Sequence, residues 1–261
     1  MTATKRVAFV TGASGGLGGG MCRALLAEGS TVFAHVRTEG EGRDLVVWGA
    51  RVIAADLTFR TQVSHLVEQV ESETDRLDIM VNNAAGGYGP PNSERQTTID
   101  GWESRLAVNA LAPLALLRGL GDRLGPGSRV VNVASTNQGL VDIFDLQLTS
   151  NWSRQNSYRQ SKALLLIITD VFARRWKSRG ITVNAVHPGT RLPTKIVLES
   201  GVEPLGSLRR GLDACLSEVR AVNQETAMFV RAAEKSIRIT DLYPDTSTSD
   251  ALVTRLERMC G

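Results

Sequence analysis

The fold of this chain is decided by one stretch, Arg6-Val-Ala-Phe-Val-Thr-Gly12-Ala-Ser-Gly15-Gly16-Leu-Gly18. Its first six residues are an apolar run without a helical period, which predicts a buried strand. Residues 21–28 then have a helical composition, and Gly29 ends that helix. In a strand, glycine turn and helix of this kind, the backbone can approach a pyrophosphate and the helix N–H groups can bind it. The turn alone is weak evidence, because glycine also punctuates ordinary loops.

Strand and helix patterns alternate along the chain as far as residue 189. The predicted strands are 6–11, 31–36, 51–55, 77–83, 129–134 and 181–187. The predicted helices are 15–28, 41–48, 61–74, 101–120 and 156–179. Such alternation is typical of a parallel sheet that binds its ligand at the carboxyl ends of the strands.

The pattern is looser after residue 189. Residues 190–233 are predicted to form helical segments over a cleft, 235–243 a seventh strand, and 249–259 a terminal helix. We therefore predict an α/β fold: one Rossmann-like, doubly wound parallel sheet of about seven strands with helices on both faces. The chain is long enough for residues 1–261 to form one dinucleotide-binding domain.

A tyrosine and a lysine lie one helical turn apart, at Tyr158 and Lys162, so their side chains leave the same helix face. A free tyrosine has a pKa of about 10, and a neighbouring ammonium favours the phenolate. Lowering the pKa to about 7 would require roughly 4 kcal/mol. A tyrosine tuned in this way could donate a proton to a carbonyl oxygen or accept one from an alcohol. A surface pair on an ordinary helix is the alternative.

Taken together, these motifs resemble the short-chain dehydrogenase/reductase family, over residues 5 to about 195. Besides the turn and the Tyr/Lys pair, the motifs found in the family's order are Asp56-Leu57, Asn82-Asn83-Ala84-Ala85-Gly86, Asn109, Ser135 and His187-Pro188-Gly189. The resemblance implies that Tyr158 is the general acid, that Lys162 lowers its pKa and binds the nicotinamide ribose, and that Ser135 holds the substrate oxygen. Asn109 would position a water for proton relay.

The resemblance also implies a set of cofactor-binding residues and no metal ligand. They are Gly12, Ser14, Gly15, Gly16, Leu17, Gly18, Arg37, Asp56, Leu57, Asn83, Ala84, Tyr158, Lys162, Pro188 and Gly189.

Two departures from the family pattern stand out. Ala85 replaces a usual glycine, and Ser135 lies 23 positions before Tyr158, a long spacing for the family. The insertion at 136–157 resembles that of the retinol-dehydrogenase-like and protochlorophyllide-reductase-like branch, which many carbonyl reductases also resemble.

Cofactor choice depends on the end of the second strand, where NAD-preferring relatives usually carry an acid. This chain has Val36 and then Arg37, which could bind a 2′-phosphate, although Glu39 follows closely. We expect NADP(H) rather than NAD(H). The alternative is that Arg37 is only a solvated charge. His35 is expected to be packed or at an edge, and His187 to be structural.

The leading functional hypothesis is NADPH-dependent reduction of a ketone or aldehyde to an alcohol, or the reverse oxidation. A reductase of activated carbon–carbon double bonds is an alternative. A non-catalytic NADP(H)-binding regulator is less favoured, since relatives of that kind usually lose the tyrosine or lysine. The substrate cannot be identified from the sequence. Its expected walls are Gly87, Tyr88 and Gly89, the insertion 136–157 and the segment 190–230, which is also the expected lid.

Composition excludes several other classes. The net charge is +3 with no basic block, which disfavours a nucleic-acid partner. The three cysteines lack metal or disulfide spacing, and neither a signal core nor a membrane-spanning run is present. We expect a cytoplasmic protein. The helix 156–179 is apolar nearly all round, which indicates burial on more than one side. The family that the chain resembles commonly forms a subunit interface from this helix and the helix with Asn109, so we expect a homodimer or homotetramer. A deeply packed internal helix is the alternative.

Overall fold

The computed structural model describes residues 5–232 and 234–261. The strands are β1 Val7–Val10, β2 Thr31–Val36, β3 Arg51–Ala54, β4 Leu77–Asn82, β5 Leu124–Val133, β6 Thr182–His187, β7 Met228–Arg231 and β8 Ile237–Arg238. The α-helices are α1 Gly16–Ala27, α2 Arg43–Val47, α3 Arg60–Glu73, α4 Ser104–Leu106, α5 Ala112–Leu120, α6 Arg154–Trp176, α7 Lys195–Leu198, α8 Leu208–Arg220 and α9 Thr246–Cys260. Residues 1–4 and 233 of the predicted domain lie outside the described residues.

All the described strands form one sheet in the order β3-β2-β1-β4-β5-β6-β7-β8, and each pairing is parallel except that of β7 with β8. The strand order reverses between β1 and β4, and such a switch point is where ligands bind in open α/β sheets. Helices α3, α5, α6 and α9 cover one face, while α1 and α8 pack on the other. The predicted doubly wound fold is confirmed.

The predicted seventh strand, 235–243, is wrong in detail. The seventh strand is β7, within the region predicted to be helical, and it pairs with β6 through Phe229 and Ala185. Only Ile237–Arg238 of the predicted segment pairs, antiparallel to β7, before a 3₁₀ turn at Ile239–Asp241. The run Met228-Phe-Val230 is too short for its period to separate a strand from a helix.

The apolar helix α6 is covered by the chain itself. Ile168 and Val171 pack in one cluster with Leu252, Val253 and Leu256 of α9, and all of them are buried. An ion pair between Arg174 and Asp250, at 2.9 Å, joins the same two helices. The side of α6 that faces α9 is therefore packed within the chain, as the alternative interpretation has it, and a subunit interface that involves this helix stays a prediction.

The region predicted as a lid divides into two parts. Helix α8 is fixed to the sheet, because Arg129 of β5 donates to the carboxylate of Glu218 at 2.5 Å and both side chains are buried. Asn184 of β6 donates to the same carboxylate at 2.7 Å. Residues 190–207 have only the one-turn helix α7, with several exposed side chains.

Across residues 5–232 and 234–261, every helix is either too short or too polar to cross a membrane.

Candidate active site

The glycine turn between β1 and α1 has a backbone that only glycine adopts readily. Gly12 and Gly16 have φ angles of +67° and +55°. A Cβ on Gly18 would lie 2.2 Å from the carbonyl oxygen of Gly12, so no side chain fits there. Ser14 and Gly15 lie exposed at the mouth of the turn, while Leu17 is buried beneath it. We call this turn, residues 12–18, the glycine cradle. It fits a pyrophosphate, which needs close approach of the backbone and the N–H groups at the start of a helix.

The neighbouring strand β4 holds the turn in place. The Asn83 side chain donates to the carbonyl oxygens of Thr11 and Gly12, at 2.8 and 3.1 Å. The Thr11 hydroxyl accepts from the backbone N–H groups of Asn83 and Ala84, at 2.9 and 3.0 Å. The predicted cofactor residues of β1 and β4 therefore lie together at the switch point.

Ser135 and Tyr158 meet beyond the end of β5. The Ser135 hydroxyl accepts from the N–H of Asn137 at 3.0 Å, and it lies close enough to the Tyr158 phenol to affect its pKa. Burial raises the pKa of Tyr158 to about 12, because desolvation of the phenolate outweighs the opposing effect of the nearby Ser135 hydroxyl. The expectation that this pKa is lowered towards 7 is wrong for this geometry.

Lys162 is buried one turn along α6 from Tyr158. Its ammonium donates to the carbonyl oxygen of Val133 at 2.8 Å. Desolvation lowers the pKa of Lys162 to about 8, because a buried ammonium loses its hydration. The hydrogen bond to Val133 thus holds the lysine ammonium at the end of β5, two residues before Ser135.

Asn109 lies in a π-helical turn, Ala107–Leu111, which is a rare geometry often found at functional sites. Its side-chain oxygen accepts from the N–H of Gly86 at 2.7 Å, and its side-chain nitrogen donates to the Gly86 carbonyl at 3.0 Å. The same nitrogen donates to the Ser161 hydroxyl at 2.9 Å. The amide thus fixes the segment after β4 against α6, so any water it positions would compete with these bonds.

A second tyrosine stands against the first, and sequence reasoning named it only as part of a wall. The rings of Tyr88 and Tyr158 pack edge to face, with centroids 4.8 Å apart. The Tyr88 hydroxyl accepts from the Asn137 side chain. The buried guanidinium of Arg105 donates to the carbonyl oxygens of Gly87 and Tyr88, each at 2.7 Å. Neither Asn137 nor Arg105 has a recognisable signal in the sequence, because both act through contacts distant along the chain.

The remaining predicted residues follow the carboxyl ends of β2, β3 and β6. Arg37 is exposed just beyond β2, and its N–H donates to Glu41 at 3.2 Å. Asp56 accepts from the Thr58 side chain at 2.8 Å, and Leu57 is buried beside it. Pro188 and Gly189 follow β6, where Gly189 has a φ of +124°. His187 is buried and lies 3.3 Å from the Thr190 hydroxyl, as a structural histidine would.

Comparison with known proteins agrees with this geometry. The family model described as short chain dehydrogenase matches residues 6–201. Human retinol dehydrogenase 12 is 32% identical over 196 residues, which cover 70% of this chain and 61% of that protein. The chain thus spans less than two thirds of that relative's length.

Two solved structures show the same fold. An uncharacterised protein from Mycobacterium paratuberculosis, 25% identical, superposes with a TM-score of 0.77 over 98% of this chain and 93% of its own. A short chain dehydrogenase from Burkholderia cenocepacia J2315 in complex with NADP, also 25% identical, gives a TM-score of 0.64 over 87% of this chain and 95% of its own.

The glycine turn at the switch point of a doubly wound sheet defines a Rossmann-type fold. The chain belongs to the short-chain dehydrogenase/reductase family, in its retinol-dehydrogenase-like branch.

Proposed function

We propose that this protein reduces a ketone or aldehyde to an alcohol with NADPH, or catalyses the reverse oxidation, with Tyr158 as the general acid. The observation that carries the proposal is the meeting of Tyr158 and Ser135 at the carboxyl end of β5, next to the glycine cradle. A carbonyl oxygen placed between these two hydroxyls would accept a hydrogen bond from each.

The residues have distinct roles in this mechanism. The bound nicotinamide supplies the hydride to the carbonyl carbon. Tyr158, whose pKa of about 12 keeps it protonated at neutral pH, donates its proton to the substrate oxygen. Ser135 holds that oxygen, and the Lys162 ammonium favours the phenolate that forms and binds the ribose.

NADP(H) is the proposed cofactor because Arg37 leaves its guanidinium exposed beyond β2, and a similar dehydrogenase from Burkholderia cenocepacia was solved with NADP. A charge-assisted hydrogen bond to a 2′-phosphate contributes roughly 1.5–3 kcal/mol. Arg37→Ala should therefore weaken NADPH binding about ten- to a hundredfold in fluorescence titrations while leaving NADH binding unchanged. Arg51→Ala serves as the control, because it removes an equal charge at the first residue of β3, away from the carboxyl ends of the strands.

The same titrations and a turnover assay test the proposed function. Consumption of NADPH is measured with ketones, aldehydes and activated enones, and we expect turnover with ketones or aldehydes. Turnover of enones alone would favour the double-bond reductase. Tight NADPH binding without turnover of any compound would favour a regulatory protein, although the complete Ser/Tyr/Lys set argues against it. Equal loss of both cofactors in Arg37→Ala, or a preference for NADH, would contradict the cofactor assignment.

We propose that residues 190–207 are the mobile part of the predicted lid within a single domain, because α8 is anchored by Arg129 and Glu218. Exposed segments with few buried contacts have low local stability and often gate a cleft. Hydrogen exchange should show protection rising in 190–207 when NADP and a product analogue bind, with 208–220 protected throughout. Strong protection of 190–207 in the free protein, unchanged by ligand, would contradict this.

Two expectations remain predictions: a cytoplasmic location and assembly into a homodimer or homotetramer. Assembly would need a surface other than the face of α6 that α9 covers.

A further inference from the structure

His35 lies on β2 directly beneath the glycine turn, and it is 2% exposed. Both of its ring nitrogens are engaged. Nδ1 faces the backbone N–H of Gly12 at 3.2 Å, and Nε2 lies 2.8 Å from the carbonyl oxygen of Ala55. Its own carbonyl oxygen accepts from the N–H of Ala13 at 2.8 Å. Ala55 directly precedes Asp56, so this one side chain links the glycine turn to the segment proposed to contact the adenine.

These partners determine the protonation state of the ring. A backbone N–H can only donate, so Nδ1 must be unprotonated, and a carbonyl can only accept, so Nε2 carries the proton. His35 is therefore neutral. Burial lowers its pKa below the ordinary value, although the Ala55 carbonyl and the charges of Asp56 and Glu41 act in the opposite direction.

The turn has little room to adjust if this bond is lost. A Cβ on Gly12 would meet the Cα of Ala84 at 2.8 Å, and a Cβ on Gly18 would lie even closer to the Gly12 carbonyl oxygen. A proton on Nδ1 would set two N–H groups against each other at the point where the turn is tightest. The turn would have to move, and with it the N–H groups of the cradle.

We propose that His35 is a positioning residue for the dinucleotide: its neutral ring holds the glycine turn and the Asp56 segment in register, and its protonation releases the cofactor. The proposal rests on the proposed function, since it assumes that the turn binds a dinucleotide. With a pKa below 6.5, His35 leaves affinity constant above that pH and weakens it as the pH falls further.

Two substitutions separate the two bonds of the ring. In His35→Asn, the amide oxygen can occupy the place of Nδ1 and accept from Gly12. In His35→Gln, the amide nitrogen can occupy the place of Nε2 and donate to Ala55, but nothing accepts from Gly12. Neither side chain titrates, so both variants should lose the histidine-dependent part of the pH response.

The experiment measures the Kd of NADPH by fluorescence titration at pH 5.0 and pH 8.0, with circular dichroism to show that each variant is folded. A phosphate monoester has a second pKa of about 6, so the cofactor itself titrates in this range. The pH dependence of Kd in the His35→Asn variant measures the contribution of the cofactor without that of His35. We expect Kd to rise by a larger factor from pH 8.0 to pH 5.0 in the wild type than in His35→Asn, because only the wild type has a side chain at this position that gains a proton.

At pH 8.0 the Asn variant should bind within about threefold of the wild type, and the Gln variant about tenfold more weakly. The proposal would be overturned if Kd changed with pH equally in the wild type and the Asn variant. It would also be overturned if a folded Gln variant bound NADPH as tightly as the wild type. If His35→Gln does not fold, the comparison of wild type with the Asn variant still decides it. A wild-type protein that fails to bind NADPH at pH 8.0 would instead overturn the proposed function, and this proposal with it.

Discussion

Replacing Tyr158 with phenylalanine is expected to lower kcat by about two to four orders of magnitude and to leave NADPH affinity nearly unchanged. The phenylalanine ring keeps its edge-to-face contact with Tyr88, but the transferable proton is lost. Single-turnover measurement of NADPH oxidation separates the chemical step from cofactor binding.

Tyr88→Phe is the matched control, because it removes the hydroxyl from the other ring of the same pair. Its hydroxyl is bonded to Asn137 rather than to Ser135, so kcat should fall less than about tenfold. A Tyr158→Phe protein that retains more than a few per cent of wild-type kcat would disprove the assignment of the proton donor.

Lys162→Met is expected to reduce turnover at least about a hundredfold and to stabilise the fold. At pH 7 the wild-type protein carries a buried ammonium whose pKa is about 8, against about 10.4 in the unfolded chain. That difference costs about 3 kcal/mol, from which about 1 kcal/mol is subtracted for the lost bond to Val133. The remaining 2 kcal/mol or so should raise Tm by about 5 °C.

The effect of Lys162→Met on stability should depend on pH. Because the folded-state pKa is lowered, the unfolded chain binds more protons between about pH 8 and pH 10.4, and wild-type stability rises with pH across that range. The advantage of Lys162→Met should therefore be greatest at pH 7 and shrink towards pH 10 in thermal melts. Lys177→Met, which changes an exposed lysine just after α6, should shift Tm by less than about 2 °C at either pH. If Lys162→Met is less stable than the wild type at pH 7, the buried ammonium does not destabilise the fold and the prediction is wrong.

The sequence predicts the sheet well because strands buried on both faces, such as β1, are short apolar runs bounded by turn residues. It fails at β7, whose four residues are too few for a period and whose pairing depends on Ala185, far back along the chain. The site motifs are local and could be found by spacing. Contacts between distant residues, such as those of Arg105 with Gly87 and Tyr88, have no local pattern.

The pKa of Tyr158 shows the same limit in chemical terms. A spacing of one helical turn predicts that Lys162 is near, but it does not report how much protein surrounds the phenol. In the folded chain, desolvation has the larger effect and the shift is upward. His35 is a further case. The sequence predicts only that this histidine is packed or at an edge, whereas its two backbone partners in the structure determine its tautomer.

The covering of α6 by α9 bears on how this protein responds to dilution. Where a catalytic helix is completed by a neighbouring subunit, thermal stability and activity both decline as the concentration falls and the assembly dissociates. Here Leu252, Val253 and Leu256 supply that cover from within the same molecule, as an intramolecular contact whose effective concentration is fixed. The helix that carries Tyr158 and Lys162 therefore keeps its packing at nanomolar protein, whatever assembly the other surfaces support.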